Sequence, residues 1–154
     1  MAEHATQALI GWGTQVQRGN GDGDPTTGVG ETYANITEVT AGQPPQDKAD
    51  EHEVSHFESP GRRKEFIQGM IDSGEASCTV NYNPGVYAIH DQLVEDFEAG
   101  TLGWWRFVLP GAIETISFKG FINGFARGLG PNDILTADVT WRVSSVNSER
   151  PAFT

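Results

Sequence analysis

Apolar and polar residues alternate with a period of two through most of the chain, most cleanly toward its C-terminus. Leu135, Ala137, Val139, Trp141 and Val143 fall on one side, and Thr136, Asp138, Thr140, Arg142 and Ser144 on the other. The spacing predicts a long strand with one face in a core and one in water. Glu75–Tyr82 repeats it, with Ala76, Cys78, Val80 and Tyr82 inward and Glu75, Ser77, Thr79 and Asn81 outward. That phase assigns Cys78 to the core as a small hydrophobe rather than a reactive thiol. Ile10, Trp12 and Val16 share a face of a first strand, Tyr33–Val39 reads as a second, and Trp104–Leu109 as another. Thr115–Phe125 places Ile116, Phe118 and Ile122 on one side, with Gly120 and Gly124 marking bulges or close backbone approach.

The period changes once. Across Val86–Ala99, Val86, Ile89, Leu93 and Phe97 recur at steps of three and four, opposite Asp91, Gln92, Glu95 and Glu98. This predicts an amphipathic helix capped by Asn83, with Pro84 in its first turn and Gly100 at its end. His90 lies at the edge of the apolar stripe, as a boundary histidine. One short helix against many antiparallel strands gives a mainly β (α+β) fold, a β-barrel or sandwich with one flanking helix. Two segments show neither period and are expected to be long loops, Gly19–Glu31 and Ala41–Lys64.

Composition narrows the picture. A chain of 154 residues fits a single domain, 1–154, whose core needs no disulfide, and its one cysteine could make none internally. Nineteen glycines and eight prolines supply turns between short strands. No apolar run approaches the roughly 18 residues of a membrane helix, and Met-Ala-Glu-His lacks the basic start of a signal peptide. A soluble intracellular product is expected. The formal net charge of -11 is concentrated in residues 1–60, which hold ten acids and two bases. So acidic a surface repels nucleic acid, which excludes an ordinary DNA-binding module but not a protein past which DNA slides.

Two motifs suggest metal chemistry. His52-Glu53-Val54-Ser55-His56 fits H-E-x-x-H, which on a helix could bind zinc and polarise a water. The surrounding residues lack helical periodicity, Ser59 and Arg62 stand where a metzincin needs Gly and His, and in a strand the two histidines would sit about 13 Å apart. A zinc-dependent peptidase is therefore the enzymatic alternative, not the main reading. Asn20–Glu31 places oxygen ligands at positions 1, 3, 5 and 12 of a calcium loop, but Pro25 occupies the position of the turn glycine, so a solvated hairpin loop is expected. No phosphate loop or nucleophile elbow is present, and no catalytic residue, cofactor site or metal site is assigned. Asn35-Ile36-Thr37 is a glycosylation sequon that an intracellular chain would leave unmodified. A monomeric β-sandwich binding module using Trp12, Tyr87 and Trp104 as a platform is a further alternative, although most of the aromatics fall on inward phases.

The remaining signal is segregated charge. Asp47, Asp50, Glu51, Glu53 and Glu58 precede Arg62, Arg63 and Lys64 in one long segment. Opposite charges on one arm suit docking against a second copy, and heterologous contacts of that kind build rings or helical tubes. They would also remove the exposed edges of an open sheet.

Several stretches, in order, carry a likeness to a known family. They are His56-Phe-Glu-Ser-Pro60-Gly-Arg-Arg-Lys-Glu65-Phe-Ile-Gln-Gly69-Met-Ile-Asp72-Ser-Gly74-Glu75 and the strand leading to Asn81-Tyr82-Asn83-Pro84. His90-Asp91-Gln92-Leu93, Gly100, Trp105-Arg106 and Leu135-Thr136-Ala137-Asp138-Val139-Thr140 follow. Over residues 33–146 the chain resembles the major tail tube proteins of long-tailed bacteriophages and related particles. The resemblance implies a fold shared with the tube protein of type VI secretion. It also implies stacked, hexameric rings forming a hollow virion tail tube, assembled in the bacterial cytoplasm around a tape-measure protein. Tail terminator and distal tail proteins would be partners, DNA would pass without specific binding, and no membrane or cofactor would be involved. Asp50, Glu51, Glu53, His56, Phe57, Pro60, Arg62, Arg63 and Lys64 are then expected at contacts between subunits or rings. Glu75, Ser77, Thr79, Thr136, Asp138 and Thr140 are candidates for the lumen.

Overall fold

The computed structural model describes residues 11–149, so Ile10 of the first expected strand lies outside the described residues. The strands are β1 (Gln15–Gly19), β2 (Tyr33–Asn35), β3 (Val39–Gln43), β4 (Lys48–Glu53), β5 (Phe66–Asp72), β6 (Glu75–Asn81), β7 (Gly103–Val108), β8 (Thr115–Gly128) and β9 (Thr136–Glu149). One helix, α1 (Ala88–Ala99), stands between β6 and β7. Seven strands form one antiparallel sheet in the order β2-β1-β7-β8-β9-β6-β3, while β4 and β5 pair only with each other.

That order forces the sheet to bend. Flat, its outermost strands would lie roughly 29 Å apart, at about 4.8 Å per strand. Yet β2 and β3 are those outermost strands, and only Ile36–Glu38 joins them, a link that spans at most about 14 Å fully extended. The sheet therefore curls until its two ends meet. β3 comes against β1 there, just past the Ile36 N–H to Val16 O bond at 2.9 Å that extends the β1–β2 pairing, but β2 and β3 do not pair with each other. The expected barrel is thus corrected to an open, curled sheet: the antiparallel architecture holds, but the ladder does not close.

The core fills the inside of the curl. Trp141 sits at its centre, with ring centroids 5.2 Å from Trp105, 5.8 Å from Phe118 and 6.3 Å from Phe107. Val16, Ala76, Val80, Ile122, Ala137 and Val139 surround these rings as the alternation predicts. Cys78 is buried among them, and desolvation, reinforced by the Asp138 charge, pushes its thiol up to about 12. Both bulges fall where the glycines predict, between Lys119 and Gly120 and between Ile122 and Gly124. At Gly120 a Cβ would come 2.5 Å from the Arg142 carbonyl oxygen, so only glycine fits.

The helix contributes Leu93 to the core and is tied to β1 by a two-pronged ion pair, Arg18 Nε to Asp96 Oδ2 at 2.6 Å and Nη2 to Oδ1 at 3.0 Å. It ends at Gly100, φ 65°, as expected, but starts later than expected. The Asn83 carbonyl accepts from Val86 and Tyr87, forming a turn ahead of the helix, so Tyr87 is the N-cap residue and Val86 is left exposed.

His90 also departs from expectation, being buried rather than at a boundary. Its Nδ1 accepts from the Asn83 N–H at 3.0 Å, which leaves Nε2 as the donor to the Thr37 carbonyl at 2.8 Å. The expected strand Tyr33–Val39 is broken at this Thr37–Glu38 turn, where Glu38 adopts φ 62°. Asn81 and Tyr87 both donate to the Glu38 carboxylate, so α1 and β6 together clamp the link on which the curl depends.

Candidate assembly surfaces

The segment 41–64, expected as a loop, contains the end of β3, all of β4 and a folded tip. With β5 it makes a two-stranded arm in which Lys48 faces Asp72, His52 faces Ile67 and Glu53 faces Phe66. Neither arm strand packs substantially on any other element. The arm is anchored at its base: Asp72 accepts from the Gly74 N–H at 2.9 Å and lies 3.4 Å from Arg142, interactions that lower its pKa in that order of importance. Asp50, Glu51 and Glu53 are all carried on β4, which is exposed apart from Ala49.

The tip, Val54–Glu65, is internally braced. The Ser59 hydroxyl donates to Glu65 at 2.7 Å and accepts from the His56 N–H at 2.9 Å, while the Glu65 N–H donates to the Ser55 hydroxyl at 2.7 Å. Pro60–Arg62 forms a single turn. This frame holds Phe57 wholly in solvent and places Arg62, Arg63 and Lys64 beside it, and none of these three bases forms an ion pair among the described residues. The structure therefore brings the predicted contact residues together on one projecting element.

The same geometry dissolves the zinc motif. His52 lies in β4, where its ring covers Gly69 so closely that a Cβ there would come 2.5 Å from Nε2. His56 lies past the strand, its Nδ1 accepting from the Glu58 N–H at 3.1 Å and its Nε2 3.4 Å from Glu65. No helix carries both rings. Among the described residues no group of three His, Cys, Asp or Glu is placed to hold a metal.

The acidic loop between β1 and β2 uses its carboxylates on itself. Asp22 accepts from the Thr32 N–H at 2.9 Å and the Thr32 hydroxyl at 2.6 Å, which lowers its pKa. Glu31 accepts from the Gly21 and Gly23 N–H groups, and Asp24 from Thr26 at 2.7 Å. Lys119 pins the loop to β8 through the Pro25 carbonyl at 2.6 Å, and Gly28 rests against the Trp104 indole, which is buried. The expected solvated hairpin loop is observed, mostly exposed between antiparallel β1 and β2, and it is braced internally and covers Trp104 of β7. Trp104 is consequently no open platform, while Trp12 is exposed.

The six lumen candidates share the outer face of β6 and β9. Ser77 faces Thr140, Thr79 faces Asp138, and Asn81 faces Thr136, with the Thr79 hydroxyl donating to Asp138 at 2.7 Å. Glu75 faces Arg142 and accepts from Asn123 at 3.2 Å. None of the six is buried.

The sequence reading missed the arm's apolar surface. Phe66, Ile67, Met70 and Ile71 are exposed, Met70 to 83%. Their signal was available: two adjacent apolar pairs in one strand put hydrophobes on both faces, which no single core can bury.

Comparison with known proteins follows the same lines. The family model described as "Lambda phage tail tube protein, TTP" matches residues 15–150. No curated protein matches the chain by sequence. A chain in the tail of an empty gene transfer agent particle, solved with C6 symmetry, is similar with a TM-score of 0.70 at 16% identity, covering 94% of this chain and 100% of that one. A chain of the sheath–tube complex of an extracellular contractile injection system gives 0.66 at 12% identity, with coverage of 94% and 93%. The SPP1 tail tube gives 0.62 at 9% identity, with coverage of 94% and 80%. At these identities the structural likenesses speak to the fold.

Proposed function

The chain belongs to the lambda phage tail tube protein family, and from that membership we infer how this structural subunit is put together and what it conducts. Copies assemble into hexameric rings that stack into a hollow tube, with the arm of each copy engaging its neighbours. The observation that carries this reading is the arm itself: a ribbon with a braced tip, apolar on both faces and, among the described residues, packed substantially on no other element of its own chain. Such surface is stable in water only at a cost that a partner removes. Sixfold rings are supported by the C6 symmetry of the similar gene transfer agent tail.

Asp50, Glu51, Glu53, His56, Phe57, Pro60, Arg62, Arg63 and Lys64 act at contacts between subunits or rings. The outer face of β6 and β9, with Glu75, Ser77, Thr79, Thr136, Asp138 and Thr140, lines the channel. Its polar residues stay wet, and the net negative charge keeps DNA phosphates from adhering as they pass. Terminator, distal tail and tape-measure proteins close and gauge the tube, which is assembled in the bacterial cytoplasm and works in the virion. In this role no residue is catalytic.

Negative-stain electron microscopy of the purified protein tests the assembly. Rings or tubes with six subunits in projection are expected. Protein that stays monomeric at high concentration, with no tubes even beside tail assembly partners, would defeat it. Reversing Arg62, Arg63 and Lys64 to Glu should shorten or abolish tubes, and unchanged tubes would remove the arm from the interface.

A further inference from the structure

The curled sheet leaves a slot on one side. Past the bond between the Ile36 N–H and the Val16 carbonyl, the start of β1 and β3 stand apart around a space of about 650 Å³. Val16, Val39, Phe107 and Leu109 give it apolar walls, and none of its described lining residues is charged. Among the described residues β3 pairs only with β6, so the backbone of its other edge has no strand partner, and Thr40, Ala41 and Gly42 of that strand line the slot. At Gly42 a Cβ would come 3.0 Å from the Phe107 ring, so backbone there lies directly on the core. Unpaired backbone beside apolar surface is completed by an incoming extended segment, whose N–H and C=O groups match the edge while its side chains cover the floor.

We propose that the slot is filled by the chain's own segment Ala8-Leu9-Ile10, laid along the Thr40–Gly42 edge of β3. Three observations converge on that occupant. The described residues begin at Gly11, and Gly11 is itself a lining residue, so the segment before it departs from the slot's own rim. The chain also reverses there. The Thr14 N–H and hydroxyl both donate to the Gly11 carbonyl, at 3.2 and 2.7 Å, around a turn whose third residue, Gly13, has the positive φ of 94° that a type II turn needs. That turn sends the residues before Gly11 back toward Val16 rather than out into solvent. Lastly, Ala8-Leu9-Ile10 is apolar throughout, as an uncharged slot requires, and it is as long as the edge it would cover. Attachment at the rim gives this segment a local concentration against which a second copy would have to compete.

Photo-cross-linking tests the occupant in the full chain. Benzoylphenylalanine is placed at position 9, and in a second sample at position 10, in an equal mixture of light and isotopically heavy protein diluted until micrographs show no tubes. Cross-links within one chain to peptides containing Val39–Gln43 or Phe107 are expected and uphold the proposal. Cross-linked pairs that join a light to a heavy chain would give the slot to a second copy, and cross-links confined to other parts of the chain, or none, would leave the segment outside it. Each of these results rejects the proposal. Amide hydrogen exchange supplies a second readout: Leu9→Asp/Ile10→Asp should lose protection over Val39–Gln43 while β9 keeps its own. Unchanged exchange in β3 would overturn the proposal, and if the variant loses protection in β9 as well, the cross-links decide.

Discussion

Strands β9 and β5 contain similar amounts of hydrophobic side chain and use them in opposite ways. In β9, Ala137, Val139, Trp141 and Val143 alternate with polar residues, and all four are buried. In β5, Phe66-Ile67 and Met70-Ile71 come as adjacent pairs, and all four are exposed. Alternation marks a strand with a core in its own chain, because one face can be buried while the other stays wet. Adjacent pairs mark a strand whose burial needs surfaces on both sides, which a lone two-stranded arm does not have.

The two regions should therefore fail differently. The largest effect belongs to the body: Trp141→Ala should cost about 3–5 kcal/mol, read by chemical denaturation under conditions that keep the protein from assembling. A loss below about 1 kcal/mol would mean that Trp141 is not the centre of the core. Next comes Asp96→Ala, which strands the largely buried Arg18 guanidinium and should cost about 1–3 kcal/mol in the same measurement. The arm should behave in the reverse sense. Ile67→Ser/Met70→Ser should leave subunit stability within about 0.5 kcal/mol yet abolish tubes in micrographs, and a large fall in stability would show that the arm is packed in cis.

Acid should produce the smallest effect. Hydrogen bonds from the Thr32 hydroxyl and N–H lower the pKa of Asp22 in the folded state. Its stabilisation is present above the unfolded value of about 3.9 and is lost as pH falls through the lower folded one. A carboxyl-carbon titration followed by NMR should have its midpoint below about 3.9, and Thr32→Val should return the midpoint toward that value.

Much of the body was legible because local period and tertiary burial agree there. The inward phases of β6, β8 and β9, both glycine bulges and the end of α1 at Gly100 follow from spacing alone. The break at Thr37–Glu38 was hidden, since no glycine or proline marks it and Glu38 is held at positive φ by neighbours distant in sequence. His90 was misplaced for the same reason. Its partners are backbone groups of Asn83 and Thr37, and amphipathic periodicity carries no information about them. Strand β4 was invisible because Lys48-Ala-Asp-Glu-His-Glu53 has no alternation, and only pairing with β5 makes it a strand. At the candidate assembly surfaces the segregated charges of residues 47–64 were legible, whereas Phe57 and the apolar pairs of β5 were read only as part of the family likeness.

The strand order also sets a timetable. β1 finds its inner neighbour only in β7, and β6 must wait for β9, the last strand of the sheet. A chain emerging from the ribosome can close the arm hairpin and the β1–β2 hairpin early, but the centre of the seven-stranded sheet is complete only when β9 has appeared. The arm is thus formed before the body is complete. The body is therefore the last part of the subunit to be finished, an order written into its topology.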